Sequence, residues 1–469
     1  MKPADLQKHR PAGPREYSAR VPEGGRSPVH RIISTFHRAL ETLGLGVPPL
    51  FIERWGVAVH QALSSRAREF HTHQHVLDLV ANADPIETIA ALYHDTVYVQ
   101  VDLDVPQHFA ELLAPLIHKE DTGWRILPHA GVDPIARDVL DVFGHSAGKV
   151  LTPFTGLNEL ASALVAAREL EGVFSRHQLL AVATCIEATI PFRDGEGEGL
   201  RQRLTGLGLP SAEVEVMVRR AVRLSNNDVG NFAEEDPARF LDNTWKLLPE
   251  TNPTLLMPTT YGVHDYRVAL MKMELFLSGL PAERVFHAWH GEPSDAVHAR
   301  RVELAQRNID FAVRYLRAKL YSTSIIEALA LESGGDAPID FFMGGTPEAG
   351  GPPMPRIEHY LPTLPTAEGL DPVLRRLLEG GRTTASSFDT SPSPLAAFLY
   401  CALGEKRALS GFEDSKRWWA GTLTAAQFLK AQPPVTTRAI ALAAVEIATT
   451  RHEILLRLGD SFQVTPHIE

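Results

Sequence analysis

Cysteine is nearly missing from this chain: Cys185 and Cys401 are the two in 469 residues. That excludes a disulfide framework and a thiolate zinc site, and it points to a reducing, cytoplasmic setting. No stretch reaches the roughly eighteen apolar residues needed to span a bilayer. The closest approach, Ala439–Thr450, is short and contains Glu446. No basic run is longer than a few residues and the net charge is −11, which argues against a dedicated nucleic-acid surface. Residues 1–30 carry Lys2, Lys8, Arg10, Arg15, Arg20 and Arg26 among prolines, with no apolar block. They read as a disordered tail and not as a signal peptide. Alternating strand patterns with hairpin turns are scarce, and no internal repeat is visible.

What remains is helical texture. Apolar residues recur at spacings of three and four in HRIISTFHRALETL, ELASALVAAREL, HQLLAVATCIEATI and AEVEVMVRRAVRL. An all-α protein is expected, with a main helical domain over 31–332. An irregular segment near 99–157 mixes prolines, charges and short apolar runs and reads as an insertion. Residues 333–365 are rich in Gly and Pro and read as a linker. Residues 366–469 return to helical texture, as a smaller region fit for core packing or for self-association.

One constellation carries chemistry. His71 and His75 stand four apart in FHTHQHVLDLV, so on a helix they share a face that Asp78 continues. His94 and Asp95 end a second helical segment, ETIAALYHD. Two facing helices aim His75, His94 and Asp95 at one point, and imidazole with carboxylate is a ligand set for a hydrolytic divalent metal. A further ligand is supplied by Asp228. Val214, Val218, Ala221, Ser225 and Asp228 step by four, three, four and three along one helix face. A carboxylate in line with apolar positions is costly unless paired or metal-bound. Glu159 and Glu187 are candidates to orient a water or to support a ligand imidazole, and Arg193 and Arg267 are candidates to hold phosphate. A second His-Asp pair, His264-Asp265, lacks an upstream histidine pair and reads as a helix N-terminal cap.

The order FHTHQHVLDLV, YHDTVY, NND resembles the HD superfamily of metal-dependent phosphohydrolases over roughly residues 70–250. FHTHQHVLDL is similar to the aromatic-His-Asn, His, Asp run of cyclic nucleotide phosphodiesterases. ALYHDTVY is similar to the small predicted phosphohydrolases of the same superfamily, whose Asn-Glu, two residues, Ser-Ala pattern has a counterpart in Asn158, Glu159, Ser162 and Ala163. The resemblance implies an HD-type helical bundle, with His75, His94, Asp95 and Asp228 as ligands of a divalent ion from the group Mn, Fe, Co, Ni, Zn and Mg. It implies His71 as proton donor to the leaving group and a small phosphorylated substrate as partner. Thr72 replaces the usual asparagine, and a purine-clamping glutamine has no counterpart, so cyclic nucleotide specificity does not carry over.

Two competing readings have their own signals. Gly144-His145-Ser146-Ala147-Gly148 matches the G-x-S-x-G elbow of an α/β-hydrolase esterase, in which Ser146 is the nucleophile; that needs a strand before it and a helix after it. Alternatively, an HD-like fold serves as a non-catalytic binding protein; the presence of all four implied ligands argues against it.

Overall fold

The computed structural model describes residues 26–193, 196–257, 260–345, 355–384 and 386–462. Most of the expected tail, residues 1–25, lies outside the described residues, while Pro28–His30 already form the first turn of a helix. That helix, α1 (Pro28–Thr42), buries Ile32, Phe36, Ala39 and Leu40 at the three-and-four spacing of one face. Helix α2 (Pro49–Ala62) does the same with Ile52, Trp55, Val59 and Ala62. Both start on a proline, which lacks the N–H that a first turn leaves unpaired.

Helix α3 (His73–Leu79) is short, and α4 (Pro85–Tyr93) follows it. The start of α4 is fixed by Asp84, which accepts from the Ile86 and Glu87 N–H groups while Glu87 accepts from the Asp84 N–H. Every residue from Ile86 to Tyr93 is buried, including Glu87, whose carboxylate accepts from Arg223 at 2.8 Å. The helix runs through the middle of the first core, packed by α1 and by the helices Leu157–Glu169, Arg176–Ala188 and Ser211–Asp228.

The chain is all-α, as expected. Among the described residues the one sheet is small and lies within the expected insertion. There β1 (Ile117–Glu120) pairs antiparallel with β2 (Gly123–Ile126), and β2 with β3 (Val150–Leu151). Short helices fill the rest of that segment, including Pro134–Phe143. This last helix decides against the esterase reading. Gly144 is its left-handed C-cap (φ 63°), so Ser146 follows a helix and precedes β3, the reverse of a nucleophile elbow, and it is exposed.

A second core runs from Phe232 to Phe462. Its axis is the 39-residue helix Asp295–Ser333, packed by Val263–Ser278 and by the helices of the C-terminal region. The division expected at residue 332 therefore stands elsewhere. Residues from 232 onward share a core with residues 366–462, and the first core ends near Leu224 apart from Trp289. The Gly/Pro stretch misleads because it belongs to that second core. The Ala337 carbonyl accepts from the Val263 N–H at 2.9 Å, and Phe342 and Ile357 are fully buried; residues 346–354 lie outside the described residues. The helix Pro434–Ile447, a candidate for self-association, turns Ile440, Ala441, Ala444 and Val445 into this core. No helix among the described residues is long and apolar enough to cross a membrane.

The two cores meet along a polar seam. Arg223 bonds Glu292 at 2.9 Å. Asn226, fully buried, exchanges two hydrogen bonds of 2.8 Å with the His287 backbone. The Ser387 hydroxyl donates to Glu69.

Candidate metal centre

Four side chains converge at the seam. His75 stands in the first turn of α3, His94 caps the C-terminus of α4, Asp95 follows it, and Asp228 is the last residue of the helix Ser211–Asp228. His75 Nε2 lies 3.0 Å from Asp228 Oδ1 and 3.8 Å from Asp95 Oδ2. His94 Nε2 lies 3.0 Å from Asp95 Oδ2 and 3.2 Å from Asp228 Oδ1. Ligand atoms of His75, His94 and Asp95 fall within 4.8 Å of one another, and Asp228 adjoins them through its contacts with the two imidazoles. Thus all four expected ligands come together from three helices.

The donor set fits a divalent cation. His94 Nδ1 is 2.8 Å from the Ala91 carbonyl, which fixes the proton there and turns the Nε2 lone pair toward the carboxylates. Nε2 of His94 and Oδ2 of Asp95 are buried, close, and without a hydrogen-bond partner. Two lone pairs aimed at a shared point suit a common positive charge. The field at this point favours positive charge: burial alone would lower the His94 pKa, but Asp95 and Asp228 beside it raise it well above the usual imidazole value, so a cation bound here would take the place of the Nε2 proton. Burial opposes ionisation of Asp228 as well, yet His94 and His75 hold its carboxyl down at about 2. Asp95 is depressed for the same reason.

His71 departs from its expected position. Helix α3 begins at His73, so His71 precedes it and is not one helical turn below His75 on a common face. The ring nevertheless stands 6.1 Å from that of His75 and edge-on to Tyr98 at 4.5 Å. Glu250, from the second core, holds it. One carboxylate oxygen accepts the N–H groups of Glu69, Phe70 and His71 at 2.8, 2.7 and 3.1 Å, and the other faces His71 Nδ1 at 2.5 Å. Burial pulls the His71 pKa down, but Glu250 and Asp95 outweigh it and the net shift is upward. Arg68 ties the same loop to the His-Asp turn, donating to the Asp95 carbonyl at 2.6 Å while paired to Asp102 at 2.5 Å.

The helix Leu157–Glu169 fixes the chain after Asp95. Ser162 Oγ accepts the Val97 N–H at 3.0 Å and Asn158 Oδ1 accepts the Val99 N–H at 3.1 Å. Between them, Glu159 has a carboxylate oxygen that is buried and unbonded. Burial first, then the nearby Asp95 charge, push its pKa up to about 7. Glu187 is used differently: Arg193 and Arg203 donate to its Oε1 at 2.9 and 2.6 Å, so it forms internal ion pairs. The Arg193 charge also favours ionised Glu159.

Arg267 is not brought to the site. Its buried guanidinium pairs with Glu327 at 2.8 Å and lies over Trp419 in the second core. Its neighbour His264 also bonds Glu327, and Asp265 caps the Gly262 N–H, so the second His-Asp pair is a helix start. Arg301 instead stands near the cluster, donating at 3.3 Å to Oδ1 of Asn227, the residue before Asp228. It lines, with His75, Asp228 and Lys246, an open cavity of about 550 Å³ at the seam. Glu250, Arg68 and Arg301 were not singled out from the sequence. None stands in a motif, and Glu250 and Arg301 come from the other core. Comparison with protein-family models, with curated proteins and with solved structures finds no match for this chain.

Proposed function

We propose that this protein is a metal-dependent hydrolase of phosphate esters, acting on a small nucleotide-like phosphomonoester or diester. The observation that carries the reading is the meeting of His75, His94, Asp95 and Asp228 from three helices, each imidazole Nε2 lying 3.0–3.8 Å from both carboxylates. These four would hold the ion, one of Mn, Fe, Co, Ni, Zn or Mg, since mixed nitrogen and oxygen ligands do not select among them. When bound, such an ion lowers the pKa of water toward neutrality and offsets charge on phosphoryl oxygens.

The remaining work belongs to the chain. Glu159, with a pKa of about 7, takes up and releases a proton at its unbonded Oε2 near neutral pH. Glu250 favours the protonated form of His71 and holds Nδ1, which leaves Nε2 as the atom to pass a proton to a departing alkoxide. Arg301 supplies a guanidinium for phosphoryl oxygens. The buried walls of α4 exclude bulk water behind the ligands. The test is metal content and phosphoesterase activity of the wild type against Asp95→Ala. Bound metal with chelator-sensitive activity, both lost in the variant, is expected. Metal-free, active wild-type protein would refute the reading.

A further inference from the structure

A second cavity of about 200 Å³ adjoins the first and shares Glu69, Thr72 and Lys246 with it. No metal ligand lines it. Its far walls are Asp242 and Trp245 of the helix Pro237–Thr251, and Arg382, Thr384 and Ser386 of the loop after the helix Pro372–Gly380.

Two cations on its walls have donors left over. Lys246 is exposed and forms no ion pair or hydrogen bond among the described residues; its charge is felt by Glu69. Arg382 is 3% exposed, and its Nη2 donates to the Thr390 carbonyl at 2.9 Å, but Nε and Nη1 have no acceptor. Carboxylates are near these atoms without bonding them: Asp242 at 4.0 Å and Asp389 at 3.7 Å. Both are already engaged. Asp242 accepts from the Thr383 hydroxyl and the Thr384 N–H. Asp389 Oδ2 accepts from Trp245, Tyr266 and Lys319 at 2.9, 2.6 and 2.8 Å. A buried guanidinium with unmet donors is costly, and a phosphate is the acceptor that matches its fork. Glu69 stands on the wall common to both cavities and is bonded by Ser387. A carboxylate there repels an anion and accepts from hydroxyl groups.

We propose that this second cavity is a phosphate subsite, so that the substrate carries two phosphate groups. One meets the metal centre, the other meets Lys246 and Arg382, and the part passing Glu69 is neutral and hydroxyl-bearing, as a sugar is. This rests on the hydrolase reading for the first phosphate, whereas the subsite is testable without it. Inorganic phosphate is titrated calorimetrically into the full chain after chelation, into His94→Ala, into Lys246→Ala and into Arg382→Lys. Equal binding by wild type and His94→Ala is expected, with affinity at least about tenfold weaker in Lys246→Ala and in Arg382→Lys. Lys246 is exposed, so its variant decides the matter even where the buried Arg382→Lys change fails to fold. Phosphate affinity unchanged in Lys246→Ala, or absent from His94→Ala, overturns the proposal. Phosphate binding that depends on Lys246, in a chain that binds no divalent metal, would leave the subsite standing and sink the hydrolase reading.

Discussion

Glu250→Ala tests the reasoning about the site most directly, because it removes a clamp from the second core without touching a ligand. The carboxylate is 2% exposed and accepts three backbone N–H groups besides facing His71. A hydrogen bond to a charged group contributes roughly 1.5–3 kcal/mol, and a buried N–H left unpaired costs roughly 1–3 kcal/mol. Water entering from the adjoining cavity would satisfy part of the loss. A local destabilisation of about 3–5 kcal/mol of the loop 68–72 remains, against a global stability of about 5–15 kcal/mol. The fold therefore survives while the loop opens. Native-state hydrogen exchange reads this directly. The Glu69, Phe70 and His71 amides should lose protection by roughly 10²-fold or more, at about 1.4 kcal/mol per factor of ten, and the α4 amides should not change. Turnover should fall by about 10²-fold through a displaced His71, with metal still bound. Glu250→Gln keeps one acceptor oxygen, so it should retain most of the protection while losing the charge that favours protonated His71. Unaltered protection in Glu250→Ala would mean that this carboxylate does not hold the loop.

Single substitutions of His75, His94, Asp95 and Asp228 by Ala should each strip the ion, read by elemental analysis. His71→Ala should instead keep it and lower turnover by roughly 10²–10⁴-fold. If His71→Ala empties the site and His75→Ala does not, the two roles are reversed. Ser146→Ala should leave phosphoesterase activity intact, since the residue lies exposed in a turn after a helix; a chelator-resistant esterase activity lost in that variant would restore the elbow reading. Acid should also weaken the second core through Asp389. Burial raises its pKa, but Lys319 and Arg382 outweigh that and hold it near 2, against 3.8 in the unfolded chain. A depressed carboxyl gives its stability above the unfolded value and loses it as pH falls, here from about 4 towards 2. The loss is about 2–3 kcal/mol. Urea midpoints between pH 6 and 2 should fall less steeply in Asp389→Asn, and an identical slope would contradict the assignment.

The features legible in the sequence are those that short-range spacing encodes. ETIAALYHD forms α4 because its apolar residues surround the axis and Asp84 with Glu87 caps its start. Val214, Val218, Ala221 and Ser225 are buried as their spacing indicates, and the same periodicity carries Asp228 to the ligand cluster. Spacing failed at His71, because the turn Arg68–Thr72 is set by a carboxylate 179 residues away and not by helix periodicity. It failed again at Arg267, since a guanidinium on a helix is equally compatible with phosphate and with Glu327. Composition misplaced the domain boundary: Gly and Pro report backbone irregularity, which a chain crossing its own core also requires.

The location of the centre at the seam has a consequence for how the two halves divide the work. The four proposed metal ligands stand on helices of the first core, and the turn after His94-Asp95 is fixed there by Arg68, Asn158 and Ser162. The groups proposed to act on a substrate depend on the second core: Glu250 sets His71, Arg301 comes from the long helix, and Lys246 and Arg382 line the further cavity. Metal affinity should therefore be a property of the first core, and turnover a property of the seam. A change that loosens the seam, such as loss of the buried Asn226–His287 pair of hydrogen bonds, should lower activity while metal stoichiometry holds. Parallel loss of both in Asn226→Ala would show that the end of the helix carrying Asp228 depends on the same contacts, and that the two cores act as one unit.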